Sequence, residues 1–61
     1  MQYIAHPCKF TNPEKTDVTV CAADEAEFWT VYEIIDGLEH ALRDFPTEDD
    51  AVHFMEMLCV P

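Results

Sequence analysis

Apolar and polar positions change their spacing several times along this chain, and each change marks an element. From Asp17 to Ala22 they alternate. Val18, Val20 and Ala22 fall on one side, Asp17, Thr19 and Cys21 on the other. A period of two is that of a half-buried strand. Ala23 to Glu27 then forms a polar connection.

Phe28 to Ile35 and Leu38 to Phe45 flank the pair Asp36-Gly37. Asp-Gly between apolar runs predicts a β-hairpin, because a type I′ turn needs two positive φ angles. A two-residue loop also sets the register. Ile35 faces Leu38, Glu33 faces His40, Val31 faces Leu42 and Trp29 faces Asp44. On the other face Ile34 meets Glu39, Tyr32 meets Ala41, Thr30 meets Arg43 and Phe28 meets Phe45. The first set is the expected core face, with Glu33 and His40 as its flaw. A second reading competes. Phe28, Val31, Tyr32, Ile35, Leu38 and Leu42 also recur at helical spacing, which would make residues 24–45 one amphipathic helix. Gly37 in mid-helix would cost about 1 kcal/mol, and Phe-Trp-Thr-Val-Tyr with two isoleucines is rich in strand formers. The hairpin is therefore preferred.

The spacing changes again after Pro46. Ala51, Phe54, Met55 and Leu58 recur at three and four residues, an apolar stripe on a helix. Thr47 is the expected N-cap, with Asp50 three residues on. Glu48, Asp49 and Asp50 lie in the first turn, where the helix dipole favours negative charge. At the other end of the chain, Gln2 to His6 reads as a short strand. Pro7 would stop it or confine it to an edge. Pro7, Asn12 and Pro13 make residues 7–16 a loop, and this N-terminal piece is expected to be loosely attached.

The expected fold is α+β: a small antiparallel sheet of three strands, with Gln2 to His6 as a candidate fourth, and one C-terminal helix packed on one face. Residues 1–61 form a single small domain, with an N-terminal strand and loop over 1–16, sheet over 17–45 and helix over 47–59. A chain of 61 residues buries only about 60% of its unfolded surface, so a partner or staple would help it. An apolar fraction of 49% with one Trp, two Tyr and four Phe argues against disorder.

Charge changes the picture most. Thirteen acids face three bases, for a net −10. Only Glu14 and Asp17 precede residue 24, where Lys9 and Lys15 balance them; the remaining eleven acids face Arg43 alone. Such a field opposes folding and speeds association with basic partners. It excludes direct nucleic-acid binding as the leading function, since counterion release requires cations on the protein.

Cys8, Cys21 and Cys59 are odd in number and include no CxxC. No apolar segment near the start resembles a signal peptide, and none approaches the eighteen or so residues of a membrane span. Free thiols in a reducing cytoplasm are expected, with a single Cys8–Cys21 or Cys21–Cys59 bridge as the alternative. His6 and Cys8 are close in sequence, but His40, His53, Cys21 and Cys59 are scattered without zinc spacing. There is no serine, and the lone glycine belongs to the turn, so no glycine-rich phosphate loop exists. An acidic setting would raise a thiol's pKa and blunt a cysteine nucleophile. No catalytic residue, cofactor or metal is expected.

The acidic constellation remains. Asp24, Glu25 and Glu27 precede the hairpin, Asp36 marks its tip with Glu39 just after, Asp44 closes its last strand, and Glu48, Asp49 and Asp50 begin the helix. The loop before the hairpin and the start of the helix belong at the same end of the sheet. Glu48 to Asp50 have a structural reason as helix-start residues; Asp24, Glu25 and Glu27 do not. These nine residues are the candidate partner-binding set. Gathered together, they would present anions at a spacing comparable to that of a phosphate backbone.

In size, charge and the strand–hairpin–helix order from Asp17 to Leu58, the chain resembles the small acidic phage-encoded anti-CRISPR proteins, in particular inhibitors of type I systems including type I-C. That group shares no signature motif, so no residue role is carried over by position. The resemblance implies a cytoplasmic monomer in a bacterial host. It would bind the basic surface of a CRISPR effector (Cas) subunit and block target-DNA binding as a DNA mimic. Two other readings stand beside it: a phage or plasmid accessory module that binds a protein through an apolar patch, and a small metal or redox protein.

Overall fold

The computed structural model describes residues 2–59. The chain is α+β: a four-stranded antiparallel sheet with one C-terminal helix. The elements in order are β1 (Gln2–Phe10), β2 (Val18–Val20), a 3-10 turn (Ala23–Glu25), β3 (Phe28–Ile35), β4 (Leu38–Phe45) and α1 (Glu48–Leu58). The sheet order is β2-β1-β3-β4.

The hairpin forms, so residues 24–45 are not a helix. Asp36 and Gly37 take φ of 52° and 80°, the two positive angles that a type I′ turn demands. From the turn the pairs run Ile35–Leu38, Ile34–Glu39, Glu33–His40 and Tyr32–Ala41, as the loop length predicts. Beyond that point the expected register fails. Leu42 is an unopposed bulge residue, and the ladder resumes as Val31–Arg43, Thr30–Asp44 and Trp29–Phe45. A bulge inserts one residue and turns every later side chain to the other face. Phe45 thereby joins the buried side, where its ring lies 5.1 Å from that of Phe54 on α1. Asp44 moves to the opposite face, where its Oδ1 accepts a 2.6 Å hydrogen bond from the Thr30 hydroxyl. A turn-based register has no way to anticipate that exchange.

The N-terminal segment also departs from expectation. β1 does not stop at Pro7; it runs to Phe10 and occupies the interior of the sheet. It pairs with β3 over Gln2–Cys8 and with β2 over Cys8–Phe10. Pro7 is tolerated because β2 pairs only from Cys8 onward. The Pro7 carbonyl accepts from the Cys21 amide at 2.9 Å, and the nitrogen without a hydrogen lies where the ladder to β2 has ended. The loop is therefore confined to residues 11–17, where the Asn12 Oδ1 accepts from the amides of Thr16 and Asp17. β2 is shorter than the alternation suggested, and Val18 and Val20 are exposed.

Since β2 and β3 flank β1, residues 21–27 must pass across it. The Glu27 amide closes the passage on the Cys8 carbonyl at 2.9 Å. α1 then starts where expected. Thr47 caps it by accepting from the Asp50 amide at 3.2 Å. The helix lies mainly over β1 and β3, touches β4 less and does not reach β2. Residues paired across antiparallel strands share a face, so Tyr3, Ala5, Trp29, Val31, Arg43 and Phe45 lie on the helix side. The core sits there, with Val31 and Ala51 fully buried. The opposite side of the sheet carries no helix.

Candidate functional site

The structure places the nine candidate acids in three settings. Asp24 and Glu25 sit in the 3-10 turn, with Glu27 at its exit; Asp44 is near the end of β4, and Glu48, Asp49 and Asp50 form the first turn of α1. These all belong to one end of the sheet, because Cys8 pairs with Phe28 and Trp29 with Phe45 there. Asp36 lies at the opposite end, in the hairpin turn. Glu39 belongs to neither end: it points across the helix-free face, with Oε1 2.6 Å from the Nε2 of His6.

Several of these carboxylates have local partners. Glu27 Oε2 accepts from the Phe10 amide at 3.2 Å, which pins the passage across β1. Glu25 lies 3.7 Å from the Lys9 ammonium, with both side chains well exposed. The other two cations are turned to aromatic faces. Lys15 Nζ is 5.8 Å from the Phe10 ring centre, and the Arg43 guanidinium is 5.2 Å from Phe45 and 5.9 Å from Phe54. Among the described residues, Asp24, Asp36, Asp44, Glu48, Asp49 and Asp50 have no cationic partner within ion-pair distance. One end of the molecule is thus anionic and largely uncompensated. The charge is not confined to it, since Glu33, Asp36, Glu39 and Glu56 lie elsewhere.

Two surfaces escaped the sequence reading. The first is a cleft of about 320 Å³ between β4 and α1, lined by Arg43, Phe45, Asp50, His53, Phe54 and Met57. The second is the helix-free sheet face. By register it carries Ile4, His6, Cys8, Phe10, Val18, Val20, Phe28, Tyr32 and Ile34. Alternate apolar residues from Ile4 to Phe10 were the available signal, obscured by reading Pro7 as a strand end.

That face is tied together by polar contacts. Thr30 bonds Asp44, His6 meets Glu39, and the Cys8 thiol points at the His6 carbonyl at 3.5 Å. The His6 and Tyr32 rings stack edge-on at 5.2 Å. Burial raises the Tyr32 phenol above its ordinary value of 10.0; the Cys8 thiol and the charges of Glu39 and Asp44 add to the effect. Burial likewise raises Cys21, with Lys9 opposing and Glu25 reinforcing the shift. All three cysteines are free: Cys8 buried, Cys21 half-buried and Cys59 exposed.

Among the described residues, no three His, Cys, Asp or Glu side chains are grouped to hold a metal ion, and no helix is long and apolar enough to cross a membrane. Comparison with family models, curated proteins and solved structures found no match to this chain.

Proposed function

We propose that this chain is a stoichiometric protein inhibitor whose acidic end occupies a cation-lined nucleic-acid groove on a partner. The observation that carries the reading is the gathering of Asp24, Glu27, Asp44, Glu48, Asp49 and Asp50 at one sheet end, with Lys9 paired with Glu25 and Lys15 and Arg43 turned to aromatic rings. Desolvated opposite Lys and Arg, such anions steer encounter and fix orientation more than they raise affinity. The partner class follows from the resemblance in size, charge and element order to type I anti-CRISPR proteins: a Cas effector subunit, with loss of target-DNA binding as the outcome.

The test is capture by type I effector subunits at graded salt, with target DNA as competitor. Binding should weaken steeply as salt rises, because exposed charges are screened beyond a Debye length of about 8 Å at physiological ionic strength. Reversing Asp24, Glu25 and Glu27 together to Lys should abolish it. Salt-insensitive binding, or binding unchanged by that triple reversal, would count against mimicry. It would favour the accessory-module reading, which draws support from the exposure of Leu38 and Met57.

A further inference from the structure

We propose that the helix-free face of the sheet is a docking surface for a basic amphipathic helix of a partner protein. A two-layer α+β chain covers one sheet face with its own helix and leaves the other to water or to a partner. Here the uncovered face sets apolar and aromatic residues around the Thr30–Asp44 and His6–Glu39 pairs. Ile4, Val18 and Val20 on it are 37%, 56% and 54% exposed, and the rings of Phe10 and Phe28 pack 5.0 Å apart beside them. Cys8 beneath them is only 2% exposed, so the face is closely packed.

Its size suits one helix. The strands are staggered, so three lie side by side at any level; at about 4.8 Å spacing they span roughly 10 Å, and a helix with side chains is about 10 Å across. α1 covers the other face on the same scale.

Charge selects the occupant. Glu39 and Asp44 lie on this face by register, whereas Lys9 and Arg43 lie on the helix side. Among the described residues, Lys15, over Phe10, is the lysine or arginine at its margin. A second copy would set Glu39 and Asp44 against the same anions and bring −10 against −10. A segment with leucine-like residues on one side and Lys or Arg flanking them meets both the apolar floor and the carboxylates. Asp44 belongs to both surfaces, but Glu39 lies away from the acidic end, so Glu39→Lys here and the Asp24, Glu25 and Glu27 reversal there separate the two readings.

The probe is a synthetic Leu/Lys peptide of roughly 18 residues, five helical turns, compared with a peptide of the same composition and scrambled order. Amide shifts of the isotope-labelled protein map where it binds. The patterned peptide should perturb Ile4, His6, Phe10, Val20, Tyr32 and Ile34, and bind at least about tenfold more tightly than the scrambled one. Val20→Glu and Glu39→Lys should each weaken it about tenfold, with Leu38→Glu on the helix side as the unaffected control. Circular dichroism confirms that each variant folds. Equal binding of both peptides, shifts centred on the Phe54 cleft, or a sedimentation dimer that already hides this face would overturn the proposal.

Discussion

His6 on β1 and Glu39 on β4 meet at 2.6 Å although β3 lies between their strands. The carboxylate reaches over Tyr32, whose ring contacts the imidazole at 5.2 Å. The contact ties the open edge of the sheet to its interior strand on the face that has no helix. Both side chains are partly exposed, at 27% and 48%, so the pair is a modest one. Glu39→Gln should lower stability by no more than about 1 kcal/mol. Urea midpoints for the two proteins check this; a larger loss would mean that the pair holds β4 in place.

Tyr32 supplies a pH dependence. Its folded-state pKa lies above the ordinary 10.0 because burial disfavours the phenolate, and Cys8, Glu39 and Asp44 oppose it further. The native chain therefore holds this proton more tightly than the unfolded one. The associated stability is complete below the ordinary value and is lost as pH rises through the folded one. Unfolding free energy should fall above roughly pH 10, and Tyr32→Phe should reduce the slope. Tyr3 and Cys21, also raised, leave part of it in place. Urea titrations from neutral to alkaline pH measure both slopes.

The thiols should react in order of exposure. Cys59, exposed at the C-cap of α1, should be alkylated first. Cys21, half-buried and raised by burial, should follow slowly at neutral pH, since the thiolate is the reactive form. Cys8 should resist until the chain unfolds. Mass spectrometry of iodoacetamide-treated protein over time distinguishes the sites, and early labelling of Cys8 would contradict the packing described.

Val31 is the centre of the small core, fully buried beneath α1 alongside Ala51. Val31→Ala removes two methyl groups and leaves a void, at a cost of about 2 kcal/mol. Thr47→Ala removes the cap on the Asp50 amide, at about 1 kcal/mol. In a chain with so little core both should show as clear drops in thermal midpoint, the first larger than the second.

The residues that announced themselves in the sequence are those whose signal is local. Asp36-Gly37 dictates its own backbone angles, Thr47 caps the helix that follows it, and Phe54 and Met55 lie on a stripe legible from spacing alone. The bulge at Leu42 is not local: it gives Asp44 the Thr30 hydroxyl across the hairpin and gives Phe45 the ring of Phe54, a contact that exists only after the helix has docked. Pro7 misled for a related reason. A proline forbids a strand interior only where a neighbour needs its amide, and β2 ends one residue short of asking for it. Among the candidate acids, Asp24, Glu25 and Glu27 fall at the helix-start end, as the hairpin order implied. Glu39, opposite Ile34 beside the turn, lies away from the cluster as its place in the hairpin implied; its contact with His6 two strands away is what no linear spacing encodes.

The central position of β1 also fixes an order of events during synthesis. Its first residues emerge earliest, yet Gln2 must wait for Ile34, and Tyr3 for Glu33, before the middle of the sheet can close. Until then a nascent chain can pair β1 only with the three residues of β2. Such distant pairings slow assembly. Translation beginning beyond Phe10 would yield a product that keeps the hairpin, the helix and every acidic residue but lacks the strand that joins β2 to β3.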